Sequence, residues 1–445
     1  MQHILILGAG KSSGALIDYL SKYAHIEHYS ITIADVNPTN LADARKFSEA
    51  LNTVLISGIE DEQIAALVVE SSLVISMLPA ALHPAIAVCC LQFRKNLITP
   101  SYIAAAMQEL HSEVQKAGLL FLNEMGLDPG IDHLSACEMI DSVQQQGGVV
   151  KSFKSHCGGL VAKESNDNPW GYKFSWNPRN VVLAGQGSGF IRWKENSGIQ
   201  LLPYHRLFAS SSCITIGSEK FDSYPNRDSL TFIEPYNLEN APTIYRGTLR
   251  YHGFCEAWNL LVQLGCCDDT TPIEIHEGET NATFMKRFIQ CVNGGSMQQQ
   301  AARILKVEED SAAFQNLLWL ELFKEKPLAI SGKHTAASVL QKILEEKWQL
   351  KKGDKDRVVM LHEMEYELHG RHFYAIAVLD RNGNDNHTAM AETVGLPIGI
   401  AARMMLNNAI QLTGVLRPVQ KEIYEPVLAA LKEMGISFVH TQKVL

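Results

Sequence analysis

The stretch Ile4-Leu-Ile-Leu-Gly8-Ala-Gly10-Lys-Ser-Ser-Gly14 runs from a short apolar segment straight into a glycine turn. An apolar run bounded by glycine and followed by amphipathic text reads as a buried strand leading into a helix. Backbone amides in such a turn, backed by the positive end of the helix, suit a pyrophosphate. The spacing departs from the common glycine pattern: Ser13 stands where the third glycine or alanine belongs, and Gly14 comes one residue later. Alone, the turn is a weak signal. Asp35 strengthens it, because it ends the next apolar run about 20 residues on, where a carboxylate accepts hydrogen bonds from an adenosine ribose. The same carboxylate repels a ribose 2'-phosphate and no arginine follows it closely, so these residues by themselves favour NAD over NADP. We expect Gly8, Gly10, Lys11, Ser12, Ser13 and Asp35 to line the cofactor site.

Outward from this turn, apolar runs at 4–7, 31–34, 54–57, 73–78, 96–99 and 119–122 alternate with helix-like text. That rhythm belongs to a doubly wound parallel sheet with strands buried on both faces. At Asp128-Pro129-Gly130 it changes: aspartate is a good cap and proline a good first helical residue, so a helix is expected to start there. The predicted fold class is α/β, an N-terminal Rossmann dinucleotide-binding domain over 1–130, joined by part of 390–445. An α+β substrate and dimerisation domain is expected over 131–390, with a helical portion at about 256–347. Alternation at 358–367 and 372–379 around a turn at 368–371 predicts a hairpin. Thr393-Val-Gly-Leu-Pro397 is expected to precede an apolar helix over 398–412.

With 445 residues the chain exceeds one ordinary core. It is 46% hydrophobic and 20% charged, the balance of a globular protein rather than a disordered or fibrous one. A net charge of −9 without a Lys/Arg cluster argues against nucleic acid as a partner. Nine cysteines, an odd number, include the neighbours Cys89-Cys90 and Cys266-Cys267 and show no disulfide framework. No metal site is expected: Cys-x-x-Cys is absent, and His362-Glu363 lacks the second histidine of a zinc helix. The apolar text at 73–93 is interrupted by Pro79, His83 and Pro84, so no membrane partner is expected, and a cytoplasmic location is.

Several polar, glycine-rich segments are unusually specific for loops: Asn123-Glu-Met-Gly-Leu-Asp-Pro-Gly-Ile-Asp-His133, His156-Cys-Gly-Gly159, Asn168-Pro-Trp-Gly-Tyr-Lys-Phe-Ser-Trp176, Tyr224-Pro-Asn-Arg-Asp228 and Tyr245-Arg-Gly-Thr-Leu-Arg-Tyr251. With Thr393 to Pro397 they resemble, in order and over nearly the whole chain, the glutamate-forming saccharopine dehydrogenases, or saccharopine reductases. The resemblance implies a reversible reaction in lysine metabolism: saccharopine, NAD(P)+ and water give glutamate, 2-aminoadipate 6-semialdehyde and NAD(P)H. It implies NADP as the habitual cofactor, although the family's known fungal members tend to carry a basic residue near the second strand end, where Asp35 stands. A homodimer is also implied.

The resemblance places Asp128, Cys157 and Tyr102 among the catalytic groups, with Ser101, Tyr102, Asp128, Arg227 and Arg246 on the substrate. It adds Gly126, Leu127, Asp128 and Ser175 to the cofactor contacts. Chemistry agrees in outline, since oxidising a carbon beside a secondary amine and hydrolysing the imine needs a proton shuttle. Guanidinium groups suit the carboxylates of saccharopine. A plainer reading stands beside each role: Asp128 as a helix cap, Cys157 as an inert buried thiol, Ser101 and Tyr102 as cap and packing, the arginines as surface ion pairs. Arg250 is expected on the same strand face as Arg246. The Lys173-Phe174-Ser175 segment is expected either to cover the nicotinamide or to be buried core, and His133 to be an interior histidine. Other functions to weigh are a carboxynorspermidine-type reductase and a non-catalytic dinucleotide-binding regulator.

Overall fold

The computed structural model describes residues 1–186, 190–289 and 294–445. They form two compact units, Met1–Val150 with Tyr366–Leu445, and Lys151–Glu365.

In the first unit a seven-stranded sheet has the order Gly414–Leu416, Leu120–Leu122, Asn96–Ile98, Leu73–Ser76, Gln2–Leu7, Tyr29–Asp35, Asn52–Leu55. All neighbours are parallel. Ile4, Leu5, Ile6 and Leu7 are fully buried, which is why this strand reads as an unbroken apolar run. From Gln2–Leu7 the chain moves outward through two strands and then returns on the other side at Leu73–Ser76. That reversal puts the carboxyl ends of Gln2–Leu7 and Leu73–Ser76 at a topological switch point, where open α/β sheets bind ligands. Six strands lie close to the predicted runs. The seventh, Gly414–Leu416, lies outside those runs, because three residues carry no period; it is held in register against Leu120–Leu122.

Two expectations need correction. The apolar helix is Ala389–Leu406, capped by the Thr388 side chain, so Thr393 to Pro397 lies inside it rather than before it. An interior proline costs a helix roughly 3 kcal/mol, but this helix is buried along most of its length, and packing outweighs the local penalty. It is long and apolar enough to cross a membrane by length and composition, yet mostly buried inside the protein, as a core helix is. The helix after Pro129 is Ile131–Gln144 with Gly130 at its N-cap, so Asp128 does not cap it.

Gly395 and Gly399 explain how Ala389–Leu406 approaches Gly14–Ala24. A Cβ on Gly395 would stand 2.8 Å from the Leu16 backbone nitrogen, and one on Gly399 would stand 2.6 Å from the Tyr19 ring. Gly395→Ala is therefore expected to lower stability by about 1–3 kcal/mol despite alanine's better helix propensity. A thermal midpoint equal to or above that of the parent chain would contradict this packing.

The second unit carries strands Ser212–Ile216, Glu219–Pro225 and Thr243–Tyr251 side by side, followed by Val149–Val161 and Asp356–Leu368. Asp356–Leu368 leads through His369-Gly370 into Arg371–Asn382, the predicted hairpin, with φ of 50° and 72° at the turn; positive φ at both residues matches the twist of paired strands. Helices Phe254–Gln263, Asn281–Met285, Met297–Leu305, Ala312–Trp319 and Ala336–Lys347 supply the expected helical portion, in which 290–293 lie outside the described residues. Trp170, Tyr172 and Phe174 sit in this unit's core, each with its ring centroid 5.2–5.4 Å from that of Trp348. The aromatic alternation of 168–176 is thus that of a buried segment. Within it the Lys173 ammonium, with its side chain 1% exposed, is held by Asp354 at 2.7 Å and Asp167 at 2.9 Å.

Candidate active site

Gly8 ends its strand with φ +96°, and a Cβ there would press on the Met77 carbonyl at 3.0 Å, so only glycine turns the chain here without strain. Nothing lies within 4 Å of where a Gly10 Cβ would be. The turn is open on that side, with the start of helix Gly14–Ala24 behind it, and this arrangement fits a pyrophosphate. Lys11 is exposed and Ser12 half-buried, whereas Ser13 is buried and its hydroxyl donates to the Gly10 carbonyl at 2.6 Å. Ser13 therefore braces the turn from inside.

Asp35 accepts the Ala9 amide on Oδ2 at 2.6 Å and the Asn37 amide on Oδ1 at 2.7 Å. The Asn40 side-chain amide adds bonds of 3.3 Å to both oxygens. The carboxylate stands at the strand end expected for a ribose contact, but its charge is already shared among donors of the glycine turn and its own loop.

Farther along the carboxyl edge, the loops after Asn96–Ile98 and Leu120–Leu122 bring Ser101, Tyr102 and Asp128 together. The Tyr102 hydroxyl donates to Asp128 Oδ1 at 2.8 Å. Throughout residues 121–137, Asp128 alone is not buried. Gly126 and Leu127 are buried and fold back on the helix start: the Gly126 amide donates to the Pro129 carbonyl at 2.9 Å and the Asp132 amide to the Leu127 carbonyl at 3.1 Å. Gly130, φ +146°, closes this loop so tightly that a Cβ would fall 1.9 Å from the Gly126 carbonyl oxygen.

Glu124 ties the two loops together. Its Oε2 accepts from His133 Nε2 at 2.7 Å, its Oε1 from the Ile103 amide at 3.0 Å, and Arg417 stands 3.4 Å away. Its own amide donates to the Ser101 carbonyl at 3.1 Å. Burial by itself raises the Glu124 pKa, but the bond and charge of His133, then Arg417 and the Ile103 amide, outweigh it and bring the group to about 2. The sequence marks Glu124 only as part of a polar segment, and nothing in it signals this clamp. The interior reading of His133 fits, since it is fully buried.

In the second unit, register pairs Arg246 with Ser155 and Thr248 with Cys157 across parallel strands. Alternate residues of a strand face one way, so Cys157, Arg246 and Arg250 share a sheet face, as expected for the two arginines. Arg246 is buried with its guanidinium 3.8 Å over the Phe232 ring. Arg250 is buried against Tyr172 at 5.0 Å, Phe254 at 5.5 Å and Tyr224 at 5.8 Å, contacts that retain part of a cation's stabilisation away from water. Arg227 is exposed, and the adjacent Asn226 amide donates to the Arg246 carbonyl at 2.8 Å, which fixes Arg227 close in the chain path to Arg246. Cys157 and Ser175 are both buried.

A parallel sheet in Rossmann order, an open glycine turn and an acidic strand end define a dinucleotide-binding protein, here with a second, mixed-sheet unit carrying arginines and a cysteine. Residues 4–122 match the family model described as the saccharopine dehydrogenase NADP binding domain, and residues 126–436 the saccharopine dehydrogenase C-terminal domain. The chain belongs to the saccharopine dehydrogenase family. It is 34% identical over 451 residues to saccharopine dehydrogenase [NADP(+), L-glutamate-forming] of Schizosaccharomyces pombe, covering 98% of each chain. It is 33% identical over 458 residues to the mitochondrial alpha-aminoadipic semialdehyde synthase of Rattus norvegicus, covering 99% of this chain but 48% of that one. The chain thus spans about half the length of the semialdehyde synthases it matches. The solved structure of apo histidine-tagged saccharopine dehydrogenase (L-Glu forming) from Saccharomyces cerevisiae superimposes with a TM-score of 0.86 at 30% identity, over all of both chains.

Proposed function

We propose that the chain is a glutamate-forming saccharopine dehydrogenase: saccharopine, oxidised dinucleotide and water give L-glutamate, 2-aminoadipate 6-semialdehyde, reduced dinucleotide and a proton. The observation that carries this reading is the Tyr102–Asp128 pair, set at the carboxyl edge of a dinucleotide sheet where Asp128 is the one accessible residue of a buried run. A nicotinamide dinucleotide held at this edge would supply the hydride acceptor for the carbon beside the secondary amine. Asp128 would then accept a proton from the water that adds to the resulting C=N bond and return it to nitrogen, and as the C–N bond breaks the carbinolamine hydroxyl gives up its proton to the leaving amine to form the aldehyde C=O. Tyr102 orients that carboxylate and Cys157 lies on the substrate, with no covalent step at the thiol. Ser101, Arg227 and Arg246 hold carboxylates of the substrate. Gly126, Leu127 and Ser175 complete the cofactor contacts begun by Gly8, Gly10, Lys11 and Ser12.

The first choice of cofactor is NADP, supported by family membership and by the engagement of Asp35 inside its own loop. NAD is the second reading, favoured by the carboxylate itself, which disfavours a 2'-phosphate. Titrating the protein with each oxidised dinucleotide distinguishes them: tighter NADP+ assigns Asp35 a bracing role, and tighter NAD+ assigns it to the ribose. We place the protein in the cytoplasm, as a reducing compartment suits its free thiols. A homodimer through the hairpin region is supported by the exposed strand Val439–Val444, which among the described residues lies at the edge of its sheet.

The function is tested by chromatography of a mixture of protein, saccharopine and oxidised dinucleotide. Glutamate and the semialdehyde are expected in equal amounts, and unchanged saccharopine would overturn the reading.

A further inference from the structure

His83, at the start of helix His83–Gln92, lies between two serines. Its Nδ1 is 2.9 Å from Ser76 Oγ at the end of the central strand Leu73–Ser76, and its Nε2 is 2.9 Å from Ser101 Oγ. His83 is 3% exposed and Ser76 is fully buried. Burial pushes the imidazole down to about 4, so it is neutral at physiological pH, with one nitrogen donating and the other accepting.

Which nitrogen carries the proton follows from Ser76. Among the described residues its hydroxyl has one hydrogen-bond partner, His83. A buried O–H left without an acceptor costs about 1–3 kcal/mol, so Ser76 donates and Nδ1 accepts. The proton then sits on Nε2 and points at Ser101 Oγ. With its oxygen already accepting, Ser101 turns its own hydroxyl proton away from His83. The backbone of Ser101 is held independently, its amide by Thr99 Oγ1 at 3.3 Å and its carbonyl by the Glu124 amide at 3.1 Å. The hydroxyl rotor is therefore the degree of freedom left for His83 to set.

We infer that His83 is a positioning residue: as the Nε2–H tautomer, fixed by Ser76, it commits the Ser101 hydroxyl to donate into the site, toward a carboxylate of the substrate. The substrate half of this inference rests on the proposed function; the tautomer half does not.

Two measurements on the full chain separate them. Long-range nitrogen–proton NMR of 15N-histidine-labelled protein, with His83 identified by the signal lost in His83→Gln, is expected to show the proton on Nε2; a proton on Nδ1 overturns the inference whatever the substrate. In kinetics with saccharopine, Ser101→Ala and His83→Ala are each expected to raise KM about tenfold with little change in kcat, the size of a lost hydrogen bond to a charged group. The double variant should be no worse than Ser101→Ala, and His83→Gln, whose amide can still donate to Ser101, should recover part of the loss. Effects that multiply in the double variant, or an unchanged KM in His83→Ala, overturn it. A parent chain that does not consume saccharopine overturns the substrate reading instead, and the tautomer measurement still decides the role of His83.

Discussion

Asp128→Ala should bind the dinucleotide as the parent chain does and turn saccharopine over about 10²- to 10⁴-fold more slowly, the usual contribution of a positioned proton shuttle. The helix-cap reading of Asp128 makes a different prediction, a loss of stability with turnover retained per folded molecule. Geometry separates the two, because the helix begins at Ile131 behind Gly130 and the Asp128 carboxylate instead accepts from Tyr102. Tyr102→Phe keeps the ring and removes that donor, so it should show a smaller loss in the same direction. Turnover of Asp128→Ala equal to the parent at saturating substrate would remove Asp128 from the mechanism.

The largest stability effect is expected at Glu124. Glu124→Ala removes the carboxylate bonded to the fully buried His133 Nε2 and to the Ile103 amide, and breaking a buried pair in this way costs about 3–5 kcal/mol. Glu124 also holds φ at +56°, a conformation that strains a residue with a Cβ. Glu124→Gly should therefore be less damaging than Glu124→Ala, although it loses the same contacts. Hydrogen exchange of the Ile131–Gln144 amides reads the effect locally, and protection in Glu124→Ala within about 1 kcal/mol of the parent would contradict the clamp. Its pH dependence has a definite sign. A carboxylate with a folded pKa near 2 and an unfolded value of 4.5 contributes fully above 4.5, and its contribution fades as pH falls toward 2. Glu124→Gln should flatten that part of the acid unfolding curve.

The parallel sheet was legible because its inner strands are buried on both faces, and Ile4 to Leu7 or Leu73 to Ser76 then admit no other reading. Gly414–Leu416 escaped because a three-residue edge strand exists through its neighbour and not through its own period. Pro397 misleads for the opposite reason: a local rule about helix interiors yields to packing of Gly395 and Gly399 on Leu16 and Tyr19, at the other end of the chain. At the site, the glycine turn and Asp35 announce themselves by spacing. The approach of Tyr102 to Asp128 does not, since those residues lie on separate loops that only the folded sheet and the Glu124 clamp bring together. His83 registers in the sequence as an interruption of apolar text, and its two serine partners come from strand ends that only the folded order brings together.

The most direct measurement is nicotinamide absorbance on mixing the purified chain with saccharopine and NADP+ or NAD+, with the reverse reaction run from glutamate, the semialdehyde and reduced dinucleotide. The account predicts turnover in both directions, faster with NADP+ at low cofactor concentration. Absence of turnover in either direction with dinucleotide binding intact would contradict it, and would turn attention to other amine substrates such as carboxynorspermidine or to a binding role without catalysis.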